Sequence, residues 1–99
     1  MVCEIQFAES VTEHLRALTP AERARVLEAV ARQLVHQPQV ETRNRKPLRP
    51  NPVAPWELRV GSMRVFYEVA SDTPRVVRVL AVGKKARSVL RIGRREIKL

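Results

Sequence analysis

The stretch from Trp56 to Val69 constrains the fold more than any other, because apolar and polar residues alternate on both sides of a Gly61-Ser62 pair. A Gly-X pair between such runs signals a two-residue hairpin, and counting outward from it sets the register: Val60 faces Met63, Arg59 faces Arg64 and Leu58 faces Val65. One face then collects Trp56, Leu58, Val60, Met63, Val65, Tyr67 and Val69, and the other Glu57, Arg59, Arg64, Phe66 and Glu68. A slip of one residue sends the whole apolar set to water, so this partition supports the pairing. After a turn at Ser71-Asp72-Thr73-Pro74, Val77, Val79 and Ala81 extend the apolar face, Arg78 joins the polar one, and Gly83 ends the strand.

Upstream, Cys3, Ile5 and Phe7 alternate with Glu4 and Gln6, the period of a half-buried strand. Ser10-Val11-Thr12-Glu13 has the form of a capping box, and Val11, Leu15 and Leu18 share one helical face, which predicts a helix over 11–18. Thr19-Pro20-Ala21-Glu22 repeats the signal with proline at the first helical position. Leu27, Val30, Ala31 and Leu34 continue that second helix to about Gln37, where Pro38 stops it.

Residues 38–55 carry five of the seven prolines together with Arg43, Arg45, Lys46 and Arg49. They read as a long Pro/Arg-rich connection, partly tacked down by Val40, Leu48 and Val53. The order is β-α-α-β-β-β, followed by a basic C-terminal segment over 84–99. Its simplest assembly is a single α+β domain spanning 1–99, in which the helical hairpin covers one face of a mainly antiparallel four-stranded sheet and water meets the other.

At 99 residues the chain is the length of one domain. The lone Cys3 forms no internal disulfide and no Cys/His cluster suggests a metal site, so a reducing cytoplasm is the expected compartment. No apolar run approaches a membrane span, and the N-terminus lacks the basic start of a signal peptide, so neither membrane nor secretion is expected. Charge divides the chain more sharply than composition does. Residues 1–42 carry four arginines against six glutamates, net −2; the remainder carries fifteen basic residues against four acidic ones, net +11. Such a field draws phosphodiesters or an acidic partner, and fifteen of the nineteen basic residues are arginine, which grips phosphate through two parallel hydrogen bonds.

The hairpin register sets Arg59 directly opposite Arg64, a destabilising pairing unless something negative lies between them. Glu57, diagonal to Arg64 and two residues from Arg59, is one source of that charge; a bound phosphate is the other. In the second case the cradle extends to Arg78, Lys84, Lys85, Arg87 and Arg91, with Phe66 as a surface on which a base stacks or as plain packing. His14 and His36 fall on the helical hairpin without an acid partner or nucleophile. No carboxylate pair, triad or Gly-rich phosphate loop is present.

The run Trp56-Glu57-Leu58-Arg59-Val60-Gly61-Ser62-Met63-Arg64-Val65-Phe66-Tyr67, followed by Val82-Gly83-Lys84-Lys85 and preceded by Lys46-Pro47-Leu48, resembles the RelE/ParE superfamily of toxins from bacterial type II toxin–antitoxin systems. The resemblance covers essentially the whole chain and implies the β-α-α-β-β-β fold. In the RelE branch it implies a metal- and cofactor-independent endoribonuclease that cuts mRNA in the ribosomal A site, the RNA 2′-OH attacking the adjacent phosphate. By position, Arg64 then matches the phosphate-binding arginine, and Lys85 stands where the family has an arginine after V-G-K. Arg59 completes the expected catalytic set, with Arg45, Lys46, Phe66, Arg78, Lys84, Arg87 and Arg91 as RNA-binding residues. The two lysines of that branch align with Pro55 and Glu57 and its C-terminal tyrosine with Arg91, so the general base is missing unless Lys46 or Glu57 substitutes. In the ParE branch the target is DNA gyrase. An inactive nucleic-acid-binding relative is the third reading. Either toxin implies a cognate acidic antitoxin as partner.

Overall fold

A computed structural model describes residues 2–70 and 75–98. Its elements are β1 (Glu4–Phe7), α1 (Val11–Arg16), α2 (Pro20–Gln33), β2 (Arg45–Pro47), β3 (Trp56–Val60), β4 (Met63–Ala70), β5 (Val76–Ala86), β6 (Val89–Ile92) and β7 (Arg95–Ile97). The fold is α+β, with a sheet ordered β2-β3-β4-β5-β6-β7 in antiparallel pairs and β1 added parallel to β5. The Ser71–Pro74 turn lies outside the described residues.

The hairpin register is the one the sequence dictates. Val60 pairs with Met63, Arg59 with Arg64 and Leu58 with Val65, continuing to Glu57 with Phe66 and Trp56 with Tyr67. The Trp56 and Tyr67 rings stack with centroids 6.1 Å apart. Helix α2 begins on the expected capping box, Glu22 N–H donating to Thr19 Oγ1 at 3.1 Å and Thr19 N–H to Glu22 Oε1 at 2.9 Å. Ser10 makes no such cap: its backbone is helical, φ −63° and ψ −20°, rather than extended, and the Glu13 carboxylate accepts from Arg16; α1 stops two residues before Leu18.

Helix α2 closes at Gln33, short of the expected Gln37. Arg45 Nη1 donates to the Gln33 carbonyl at 2.7 Å, satisfying the acceptor that another turn of helix would have used, and the Tyr67 hydroxyl holds the chain beyond it by donating to the Pro38 carbonyl at 2.7 Å. Its buried stripe is Val26, Val30 and Leu34, with Ala29 beside them. Leu27, expected on that stripe, is 40% exposed, and Ala31 also faces solvent. The stripe packs on Leu58, Met63, Val65, Tyr67, Val77, Val79 and Val82, together with Val11 and Leu18, forming the main core.

The opposite face is not open to water. Phe66, Ala81, Leu90, Ile92 and Ala54 form a second core, lined by Leu48, Val53, Leu80 and Ile97. Three local causes produce it. Pairing jumps from Phe66–Ala81 to Tyr67–Val79, so Leu80 bulges and Ala81 turns to the face opposite Val77 and Val79, against the expected alternation. Strand β5 runs past Gly83 to Ala86, because β6 crosses so closely that a Cβ on Gly83 would lie 2.5 Å from the Arg91 carbonyl oxygen. Finally, segment 48–55 is folded over Phe66 by Asn51, whose side chain accepts from Val53 N–H and Ala54 N–H and donates to the Arg49 and Ala54 carbonyls, all within 2.7–3.0 Å. Among the described residues the sheet therefore has seven strands rather than four, the added ones being β2, β6 and β7.

Candidate active site

The second face carries the charged residues of the hairpin at one end of the Phe66 core. Cross-strand partners share a face, so the pairings Lys46–Glu57 and Arg59–Arg64 set four ionisable side chains side by side. Lys85 reaches the same face: its N–H donates to the Ser62 carbonyl at 2.8 Å and its pairing partner Leu90 belongs to the second core.

Glu57 lies between the two arginines. Its Oε2 is 3.5 Å from Arg59 Nε and its Oε1 3.7 Å from Arg64 Nε, and the residue is 8% exposed. Of the two sources of negative charge the sequence leaves open, the protein supplies the carboxylate itself. Arg64 is drawn inward, its side chain 13% exposed, with Nη1 donating to the carbonyls of Gly61 at 2.8 Å and Met63 at 2.9 Å. Arg59 is the outer member, its side chain 44% exposed. Beside them opens a cavity of about 320 Å³ lined by Glu57, Lys85, Ser88, Leu90, Ile97 and Lys98. One carboxylate, two ammonium groups and a hydroxyl thus converge over an apolar floor, a set able to move protons and bind an anion.

Several residues expected in the same cradle lie elsewhere. Phe66 is fully buried in the second core, so no base can stack on it. Lys84 pairs with Met63, points to the helical face and makes an ion pair with Glu22, which holds the Glu22 carboxyl below its ordinary value. Arg91 lies opposite Lys84 on β6 and faces away from Leu90 and Ile92. Arg78 bonds Glu68 at 2.7 Å beyond Phe66. Arg45 spends its guanidinium on the Gln33 and Val40 carbonyls. Arg87 is exposed at the β5–β6 turn with φ 53°. The structure therefore brings together Arg59, Arg64, Lys85 and Lys46 with Glu57, the carboxylate the sequence offers as their neutralising partner or substitute base, and adds Ser88 and Lys98. Ser88 and Lys98 join only because β6 and β7 fold back: the β5–β6 turn uses Arg87 and Ser88 at positive φ, where glycine or asparagine is the usual sign, whereas β6–β7 turns on a Gly-X pair, Gly93-Arg94, with Gly93 at φ 64°.

Among the described residues no group of three or more His, Cys, Asp or Glu side chains is placed to bind a metal. Among the described residues, no helix is long and apolar enough to cross a membrane.

Residues 5–89 match the family of the ParE toxin of the type II toxin–antitoxin system parDE. The chain is also similar in structure to a chain of the toxin–antitoxin complex RelBE2 from Mycobacterium tuberculosis, with a TM-score of 0.71 and 26% identity over 87% of this chain and 94% of that one. No curated protein sequence matches it at a significant level.

Proposed function

The chain belongs to the ParE toxin family of type II toxin–antitoxin systems, and on that premise we propose that it acts as a metal-independent mRNA endoribonuclease on the ribosome. The observation that carries this reading is the Glu57 carboxylate, fixed between Arg59 and Arg64 at the edge of a cavity that also presents Lys85, Ser88 and Lys98. Self-cleavage of RNA needs a base for the 2′-OH, an acid for the departing 5′-oxygen and cations for the charge gathered on phosphorus.

In this reading Glu57 takes the 2′-OH proton, the 2′-oxygen bonds to phosphorus, and the P–O5′ bond breaks. The Lys98 ammonium returns a proton to the 5′-oxygen, leaving a 2′,3′-cyclic phosphate and a free 5′-OH. Arg59 and Lys85 offset the phosphorane charge. Arg64, bonded inward to the hairpin turn, serves as a positioning residue that aims Glu57. Lys46, opposite Glu57 on β2, binds the incoming strand in this reading. The partner that silences the toxin is an acidic antitoxin segment covering the cationic second half, as the RelBE2 complex pairs a toxin with its antitoxin.

A second reading is a DNA gyrase poison; the family match favours it, and so does an Arg64 that is already neutralised by Glu57. Mapping RNA 5′-ends soon after expression in a sensitive bacterium separates the two. Codon-phased cuts in translated mRNA, absent with Glu57→Gln, support the nuclease. Growth arrest with intact mRNA and accumulated gyrase–DNA complexes supports the poison.

A further inference from the structure

The outer edge of β5 is covered twice: β1 runs along residues 76–79 and β6 along 83–86. Between them one donor falls in the gap, and a side chain takes it. His14 Nδ1 accepts from the Val82 N–H at 3.2 Å. With Nδ1 committed as acceptor, the neutral ring carries its proton on Nε2. Burial favours that neutral form by lowering the His14 pKa. The Cδ2 atom next to Nε2 lies against the β6–β7 turn, where a Cβ on Gly93 would stand 3.4 Å away.

His14 also lines a cavity of about 530 Å³, together with Gly93, Arg94, Arg95, Arg16 and Glu13. The one carboxylate of that lining, Glu13, is engaged by Arg16 at 2.8 Å, both side chains well exposed. Arg94 and Arg95 are exposed and come from the turn of the hairpin whose other end, Ile97 and Lys98, borders the Glu57 cavity. From Leu90 to Gly93 is three strand residues, about 10 Å at ~3.3 Å each.

We propose that the His14–Arg94–Arg95 cavity seats a backbone phosphate of single-stranded RNA, a second anchoring point on the strand that enters the Glu57 cavity. Its ligand is the RNA of the endoribonuclease reading, and in that respect it rests on that reading. An acidic peptide suits the cavity less well. A bound helix or strand needs apolar anchors, and here the apolar lining is Ala17 and the buried Ile92, while the exposed Phe7, Leu27 and Val40 lie elsewhere. A phosphate needs only a fixed N–H donor and cations, which His14, Arg94 and Arg95 provide.

The test uses the full-length protein and a 2′-O-methyl single-stranded RNA oligonucleotide, which binds but cannot be cleaved. Arg94→Ala/Arg95→Ala should weaken binding about tenfold at 0.1 M salt and flatten the log K against log salt slope by roughly 0.7, the value for one phosphate contact on a single strand. Arg25→Ala/Arg32→Ala, which removes the same charge from α2, should change both by far less. Equal losses in the two double variants, or none in the first, overturn the site. So does binding of a poly-glutamate peptide that the Arg94/Arg95 change weakens as much as it weakens RNA binding. Cleavage by the unaltered toxin is scored separately. Cleavage with normal binding by the Arg94/Arg95 variant sinks the site alone; no cleavage with binding lost in that variant sinks the nuclease reading alone.

Discussion

Arg59 and Arg64 face each other across the β3–β4 hairpin, and the Glu57 carboxylate lies 3.5 Å from one and 3.7 Å from the other. A like-charged cross-strand pair is thereby converted into a three-residue unit that costs the sheet little and leaves a carboxylate at the edge of a cavity. Glu57→Gln keeps the shape and removes the charge. It should lower RNA cleavage by about 10²–10⁴, the range for loss of a general base, while stability measured by urea falls only by about 1–2 kcal/mol because Arg59 remains half in water. Unchanged cleavage removes Glu57 from the mechanism.

Arg64→Lys separates charge from geometry. Lysine has no fork to span the Gly61 and Met63 carbonyls and Glu57 together. The variant should fold, yet lose most cleavage through a lower kcat, since a positioning residue aims the base. A lysine variant with the activity of the parent would contradict that role.

His14 gives the protein a pH dependence with a definite sign. Its folded pKa is lowered below 6.5 by burial, so between that lowered value and about 6.5 the unfolded chain takes up a proton that the folded one refuses. Stability from this group is complete above about pH 6.5 and declines as pH falls toward the folded value. His14→Ala should cost about 1–2 kcal/mol by stranding the Val82 N–H and remove that part of the slope. Denaturant titrations at pH 5 to 8 on both proteins read it directly.

Phe66 separates packing from recognition. Phe66→Leu should cost about 1–2 kcal/mol in thermal or urea unfolding, because both flanking strands and segment 48–55 close over the ring. RNA cleavage by the folded protein should be unaltered; a selective loss of RNA binding would return the ring to the interface.

Gly83→Ala tests the closeness of β6. The added methyl meets the Arg91 carbonyl at 2.5 Å and Ile92 Cγ1 at 2.9 Å, so the β6–β7 hairpin must shift. A loss of about 1–3 kcal/mol, with faster hydrogen exchange at Lys85 through Ile92 than at β4, is the expected signature.

The hairpin was legible because a period of two around Gly61-Ser62 admits only one register with a buried face. The α2 cap was equally plain, since Thr19 and Glu22 satisfy each other within one turn. What stayed hidden depends on contacts distant in sequence. A one-residue bulge at Leu80 reverses which face Ala81 serves, and alternation alone cannot register it. The second core hides for the same reason: Asn51 folds the proline-rich segment onto Phe66, and β6 returns over Gly83, so a surface that reads as polar in one hairpin is buried by two others. Glu57 was visible as the neutralising partner of the two arginines, but its place at the mouth of a cavity needed Ser88 and Lys98, brought there by β6 and β7 once the chain turns at Arg87-Ser88, a pair without the usual glycine or asparagine.

In the proposed function Glu57, aimed by Arg64, starts RNA cleavage at this cavity. The most direct measurement is single-turnover cleavage of mRNA on programmed ribosomes by purified toxin, with end-group analysis of the products and Glu57→Gln alongside. The unaltered toxin should leave 2′,3′-cyclic phosphate and 5′-OH ends that form without added metal and fall by at least about 10²-fold in the variant. Intact mRNA with both proteins, under conditions where the unaltered toxin still arrests growth, would contradict it.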